Sequence, residues 1–177
     1  MLHSTPIPDP KMTADWRDHL EPGDVVSFRF PLAEEDDVGH PKARPCLVLD
    51  VERSGDDRRV VLAYGTTSRR KTNIGYETHV RTRGDRLAAG LDRSTRFVGK
   101  RRLSVSLQNG GFAICGATGS PVLGRLIGGP LARMQAVRAR IQAEKDIAVA
   151  RRCVELAEAD CASGNGQQPL VTLGGVA

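Results

Sequence analysis

Residues 44–68 read RPCLVLDVERSGDDRRVVLAYGTTS. Residues 45–51 are apolar and β-branched, as a buried strand requires, and residues 58–64 repeat that character. Between them Ser54-Gly55-Asp56-Asp57 has the chemistry of a hairpin loop. No helical periodicity intervenes, so the two strands must run antiparallel.

Upstream, Glu21-Pro22-Gly23-Asp24 is a turn signal. A strand over residues 25–30 follows, with Val26, Phe28 and Phe30 on one face, and Pro31 ends its pairing. Residues 32–43 form a polar loop whose run Glu34-Glu35-Asp36-Asp37 reads as a solvated face. Downstream, residues 65–75 form a polar, basic loop. Further short strands are predicted over 76–83, around Phe97, over 103–107 and over 112–115, with a tight turn at Asn109-Gly110-Gly111. The first three strands, joined without an intervening helical pattern, indicate an antiparallel sheet, and the fold class is mainly β with helices.

Residues 116–130 are glycine-rich but lack GxxxxGK[ST], so they make no phosphate-binding P-loop. A long C-terminal helix is predicted from Pro130, ending near Glu158 or breaking near residue 146. Leu131, Met134, Val137 and Ile141 give it an apolar packing stripe. The organisation expected is a flexible leader over 1–20, a single domain with its C-terminal helix over 21–160, and a loose tail over 161–177.

With 177 residues, one ordinary domain has a sufficient core without a staple. The four cysteines, Cys46, Cys115, Cys153 and Cys161, form no CxxC pair, and with His3, His19, His40 and His79 they show no zinc-ligand spacing. No metal or cofactor is expected. No run approaches the roughly 20 apolar residues that span a bilayer, and the first residues lack the apolar segment of a secretory signal. A reduced, cytoplasmic chain without a membrane is the expectation. The net charge of +5 permits a polyanionic partner without requiring one.

Classical hydrolase signatures are missing: there is no GxSxG, no HExxH and no histidine placed beside a cysteine. His79 and His40 are of a type that titrates near neutrality, but as lone histidines they read as solvated or structural. What stands out is Arg44 at the start of one strand and Thr66-Thr67-Ser68 at the end of another, with Arg69-Arg70-Lys71 behind. If those strands are neighbours, a guanidinium and hydroxyls converge on one rim. Arg offers a rigid fork to phosphate oxygens, and hydroxyls orient a phosphate or sugar oxygen. An ordinary strand-flanking arginine and a polar loop explain the same residues.

Residues 22–31 with their PGD turn and Phe28/Phe30-Pro31, then Ala43-Arg44-Pro45 with an apolar strand, then residues 60–68 ending in Thr66-Thr67-Ser68, resemble the opening of the PemK/MazF toxins. Gly124-Arg125-Leu126 before the helix is similar to that family's ending. The resemblance implies a small SH3-like β-barrel, usually a homodimer, acting as a metal-independent endoribonuclease with RNA as substrate and a cognate antitoxin protein as partner. It implies Arg44 as acid or transition-state stabiliser and Thr66 as the residue orienting the scissile phosphate. Asp92 stands where many members carry a catalytic carboxylate. Thr67, Ser68, Arg69, Arg70 and Lys71 would contact RNA, and Gly39 and His40 would lie in a loop beside the site. The acidic loop and the longer C-terminal helix depart from the family. Two alternatives therefore stay open: a nucleic-acid-binding protein without turnover, and a regulatory protein working through its helix.

Overall fold

The computed structural model describes residues 15–31, 41–54, 57–68 and 73–163. His40, Arg69, Arg70, Lys71, the acidic run 34–37 and the segments 1–14 and 164–177 lie outside the described residues.

The predicted hairpin is the centre of the molecule. Strands β2 (Arg44–Ser54) and β3 (Asp57–Thr66) pair antiparallel from Cys46↔Tyr64 to Ser54↔Asp57, with a bulge between Val48 and Asp50. On one side β1 (Asp24–Phe28) pairs with β2, and β6 (Val122–Arg125) pairs with β1. On the other, β5 (Thr95–Ser106) pairs with β3, and β4 (Glu77–Val80) pairs with β5. The result is one six-stranded antiparallel sheet in the order β4-β5-β3-β2-β1-β6.

Alternation along these strands fills two cores. Val26, Phe28, Cys46, Val48, Leu62 and Tyr64 pack on one face, joined by Phe112 and by Trp16 of α1 (Trp16–His19). Val25, Leu47, Leu49, Ala63 and Phe97 pack on the other, against Leu131 and Met134 of α3 (Gly128–Ser163). Burying a side chain such as Phe97 contributes about 1.5–3 kcal/mol. Both faces are covered, which is why the central strands read as near-continuous apolar runs.

The sheet curls. Helix α2 (Arg83–Ala88) follows edge strand β4, and the turn after it lies against the opposite edge strand, β6. Backbone meets backbone there: a Cβ on Gly90 would sit 2.0 Å from the Leu123 carbonyl oxygen, and one on Gly124 2.3 Å from that of Ala88. Gly90 also has φ +64°, a conformation that glycine adopts without strain.

Several elements differ from the sequence expectation. The end of the expected leader is packed: Trp16 stacks on Phe112 at 4.9 Å, Arg17 Nε donates to the Leu107 carbonyl, and Leu20 is buried. An apolar Trp-Leu pair has a core to join, which a proline-rich composition obscured. Helix α2 and strand β6 lie in segments whose glycines hid them. Residues 112–115 make isolated bridges, Phe28↔Phe112 and Cys115↔Ser120, instead of a strand.

The chain divides into two compact units, Met1–Ile141 and Gln142–Ala177. In the first, α3 packs through Met134, Val137 and Ile141, as its stripe predicts. In the second, the described residues are helical to Ser163, with Ile147, Val149, Val154 and Leu156 exposed. Among the described residues no helix is long and apolar enough to cross a membrane.

Candidate functional site

The C-terminal end of β3, the whole of β4 and the start of β5 frame a cleft of about 690 Å³. Register sets its floor. Thr66 on β3 and His79 on β4 both take Arg96 of β5 as their cross-strand partner. A hydroxyl, a guanidinium and an imidazole thus form a row across three adjacent strands. Side chains directly opposite one another lie about 4.5–5.5 Å apart at Cβ, so the row is a contiguous polar surface.

Glu77 sits two residues before His79 on β4, which puts both on the same face. Its carboxylate makes two contacts. Oε1 accepts from Arg96 Nη1 at 2.7 Å, and Oε2 lies 3.2 Å from His79 Nε2. The Glu77 and Arg96 side chains are each 9% exposed, whereas that of His79 is 37% exposed toward the cleft. Arg81 continues the chain, with Nη2 3.4 Å from His79 Nδ1. Glu77 therefore compensates one buried arginine and orients one imidazole.

The rim is hydroxylic and basic. Thr67, Ser68, Ser94 and Thr95 line it together with Arg93. Thr66 Oγ1 accepts from the Ser68 amide at 3.1 Å, which leaves the hydroxyl hydrogen to donate to a ligand. Thr95 Oγ1 donates to the Arg93 carbonyl at 3.0 Å, fixing the β5 entry. Strand β4 is an edge, yet it is held: Arg133 of α3 donates from Nε to the Glu77 carbonyl at 3.0 Å and from Nη2 to that of Gly75 at 3.2 Å. The β4 side of the cleft floor thus stands on braced backbone.

Among the described residues of the lining, Arg81, Arg93 and Arg96 against the carboxylate of Glu77 make it cationic. Guanidinium and hydroxyl donors around one half-exposed imidazole suit an anion with several acceptor oxygens, such as a phosphodiester or a carboxylate. Among the described residues no group of three or more His, Cys, Asp or Glu could hold a metal ion.

The residues singled out in the sequence fall in three places. Thr66, Thr67 and Ser68 line the cleft. Arg44 starts β2 two residues beyond the last pair of the β2–β3 ladder: continuing the register from Cys46↔Tyr64 sets it opposite Thr66. It is half-buried, is bridged to Phe28 on its other side, and does not line the cleft. Behind it, burial pushes the Cys46 thiol up to about 12, although the Gly65 amide and Arg44 pull the other way. Asp92 is exposed in the turn before β5, its carbonyl accepting from Arg86 Nη1 at 2.9 Å, and it lies outside the cleft lining.

Sequence reasoning missed Glu77, Arg81, Arg93 and Arg96, and it read His79 as a solvated or structural histidine. The available signal was Glu-Thr-His-Val in a strand, which sets an acid and an imidazole on one face. The other was an arginine inside Thr95-Arg96-Phe97-Val98, a run apolar enough to demand a buried counter-charge. No protein-family model matches this sequence, and no curated protein is significantly similar to it.

Proposed function

We propose that this protein is a metal-independent endoribonuclease of the PemK/MazF kind, built on an SH3-like barrel, in which the 2′-hydroxyl of RNA attacks the adjacent phosphate. The observation that carries the reading is the row Thr66–Arg96–His79 on the cleft floor, with Arg44 on the neighbouring strand outside the cleft lining. Attack at phosphorus builds charge on the non-bridging oxygens, and guanidinium and hydroxyl donors fixed on strands stabilise that charge without reorganising. Thr66 orients the scissile phosphate, and Arg44 adds positive charge from the neighbouring strand. Thr67, Ser68 and Arg93 hold flanking phosphates, work that fixes register more than sequence. The family resemblance further supplies a homodimer and an antitoxin protein as partners of this surface.

One contact favours a second reading, binding without turnover. Glu77 is engaged by Arg96 at 2.7 Å, so this carboxylate does not offer itself as a base.

The test is incubation of purified protein with a long defined RNA in EDTA, beside Arg44→Ala and Thr66→Val. Discrete products from the wild type, reduced at least about a hundredfold in the variants, support the nuclease. RNA retained on the wild type with no cleavage supports the binding protein instead. Neither retention nor cleavage overturns both.

A further inference from the structure

We infer that His79 is the proton-transfer residue of this cleft, positioned by Glu77 and masked in the free protein by Arg81. The inference rests on the nuclease reading above and names a group that the family resemblance did not.

The hydrogen-bond inventory fixes the imidazole. Glu77 Oε1 already accepts from Arg96, and Oε2 is the atom 3.2 Å from His79 Nε2. A carboxylate oxygen accepts only, so Nε2 carries the hydrogen and donates it. Nδ1 then keeps its lone pair. Its partner is Arg81 Nη2 at 3.4 Å, a long contact between exposed atoms. The arrangement is a base whose orienting carboxylate is buried and whose working nitrogen points at a displaceable guanidinium, the logic shared by acid-histidine pairs on unrelated folds.

Every element packed around His79 contributes to this setting. Glu77 and Arg81 flank it on β4, and Arg96 faces it from β5 with Arg93 at the rim. Thr66 on β3 is neutral, and Arg133 from α3 donates to the Glu77 carbonyl. A phosphodiester entering the cleft offers Arg81 a doubly accepting anion in place of one nitrogen lone pair. The guanidinium transfers to the phosphate, and Nδ1 is uncovered only when substrate is present.

The step then balances. Nδ1 takes the proton of the 2′-hydroxyl as the 2′-oxygen forms its bond to phosphorus. The bond from phosphorus to the 5′-oxygen breaks, leaving a 2′,3′-cyclic phosphate. The 5′-oxygen takes a proton from water in the open cleft, and the resulting hydroxide removes the proton from His79. Substrates lacking the 2′-hydroxyl at the scissile position bind and are not cut.

The experiment measures cleavage of a defined RNA in EDTA across pH, for wild type, His79→Ala, His79→Gln and Glu77→Gln, together with the imidazole 15N shifts of His79. Because Glu77 also holds Arg96, the His79 variants, which leave that pair whole, decide the outcome. His79→Ala is expected to lose kcat by about 10²–10⁴-fold with KM changed less than about threefold. It should also lose the acid limb of the rate profile and recover part of its rate with added imidazole. The 15N shifts should report hydrogen on Nε2, moving at Nδ1 when a 2′-deoxy-substituted oligonucleotide binds. Wild-type cleavage with His79→Ala equally fast and the same pH profile overturns the inference and leaves the nuclease standing. Hydrogen on Nδ1 in the free protein overturns it whatever the cleavage result. A wild type that cuts no RNA removes the nuclease reading and this role with it.

Discussion

The guanidinium of Arg96 lies 2.7 Å from Oε1 of Glu77, and each side chain is 9% exposed. The two residues sit on adjacent strands, β5 and β4, diagonally placed about the His79↔Arg96 pair. Desolvating both charges costs several kcal/mol, which their mutual contact and the imidazole beside them help to offset. Removing one partner alone leaves a buried charge uncompensated. Arg96→Met is therefore expected to lower stability by about 3–5 kcal/mol in urea unfolding. Arg96→Met combined with Glu77→Met should cost less than the two single changes summed. A single-variant loss within about 0.5 kcal/mol would mean that the pair is hydrated in solution.

Edge closure makes an opposite pair of predictions for glycine. Gly90→Ala places a methyl 2.0 Å from the Leu123 oxygen at φ +64°, and Gly124→Ala places one 2.3 Å from the Ala88 oxygen. Since backbone cannot move aside as a side-chain tip does, each should lose at least about 2 kcal/mol. Gly84 lies inside α2, and a Cβ there meets nothing within 4 Å. Gly84→Ala should gain about 0.5–1 kcal/mol through helix propensity. Equal thermal shifts for all three variants would show that β6 and the turn after α2 do not meet.

The sequence makes the central hairpin legible because two apolar runs flank a turn, and both signals are local. Thr66, Thr67 and Ser68 were legible as a rim for the same reason: they end a strand whose direction was known. Glu77, His79 and Arg96 were not, because what unites them is the order β4-β5-β3, a non-local pairing that skips from the third strand to the fifth. A histidine read alone has no partner; placed opposite Arg96 on the sheet, it meets the Glu77 carboxylate and the Arg81 guanidinium. Strand β6 stayed hidden for a related reason. Val122-Leu123-Gly124-Arg125 has its glycine where Ala88 and Ala89 approach, so the residue that weakens strand propensity is the one that permits the packing.

Thiol chemistry should separate the cysteines by position. Cys46 is fully buried behind Arg44, and burial pushes its thiol up to about 12, so at neutral pH it is neither ionised nor reachable. Cys115 is exposed in the turn closed by Ser120, and amide hydrogen bonds from Ala117 and Thr118 hold its thiol below the ordinary value. Cys153 is exposed on α3. Iodoacetamide at pH 7 followed by peptide mass analysis should therefore label Cys115 ahead of Cys153, and Cys46 only after denaturation. Labelling of Cys46 at a rate near that of Cys115 would mean that the β1–β2–β3 core opens in solution.

Asp24 gives a pH dependence whose sign is fixed by its surroundings. The residue starts β1 and is 7% exposed. Burial raises its carboxyl above the ordinary value, and the Glu21 amide at 2.8 Å and Arg125 Nη1 at 3.3 Å only partly oppose that rise. A folded-state value above the unfolded one means that the native chain binds this proton more readily, so between the two values protonation favours folding. The contribution of Asp24 to stability should consequently grow as pH falls toward the unfolded value near 3.8, and shrink as pH rises above the folded one. Asp24→Asn removes that titration while keeping the side-chain shape. The stability of the wild type minus that of Asp24→Asn, measured by urea unfolding from pH 7 down to pH ~4, should rise on acidification. A difference that falls over the same range would mean that Arg125 and the Glu21 amide outweigh burial, and that the carboxylate is the form the fold prefers.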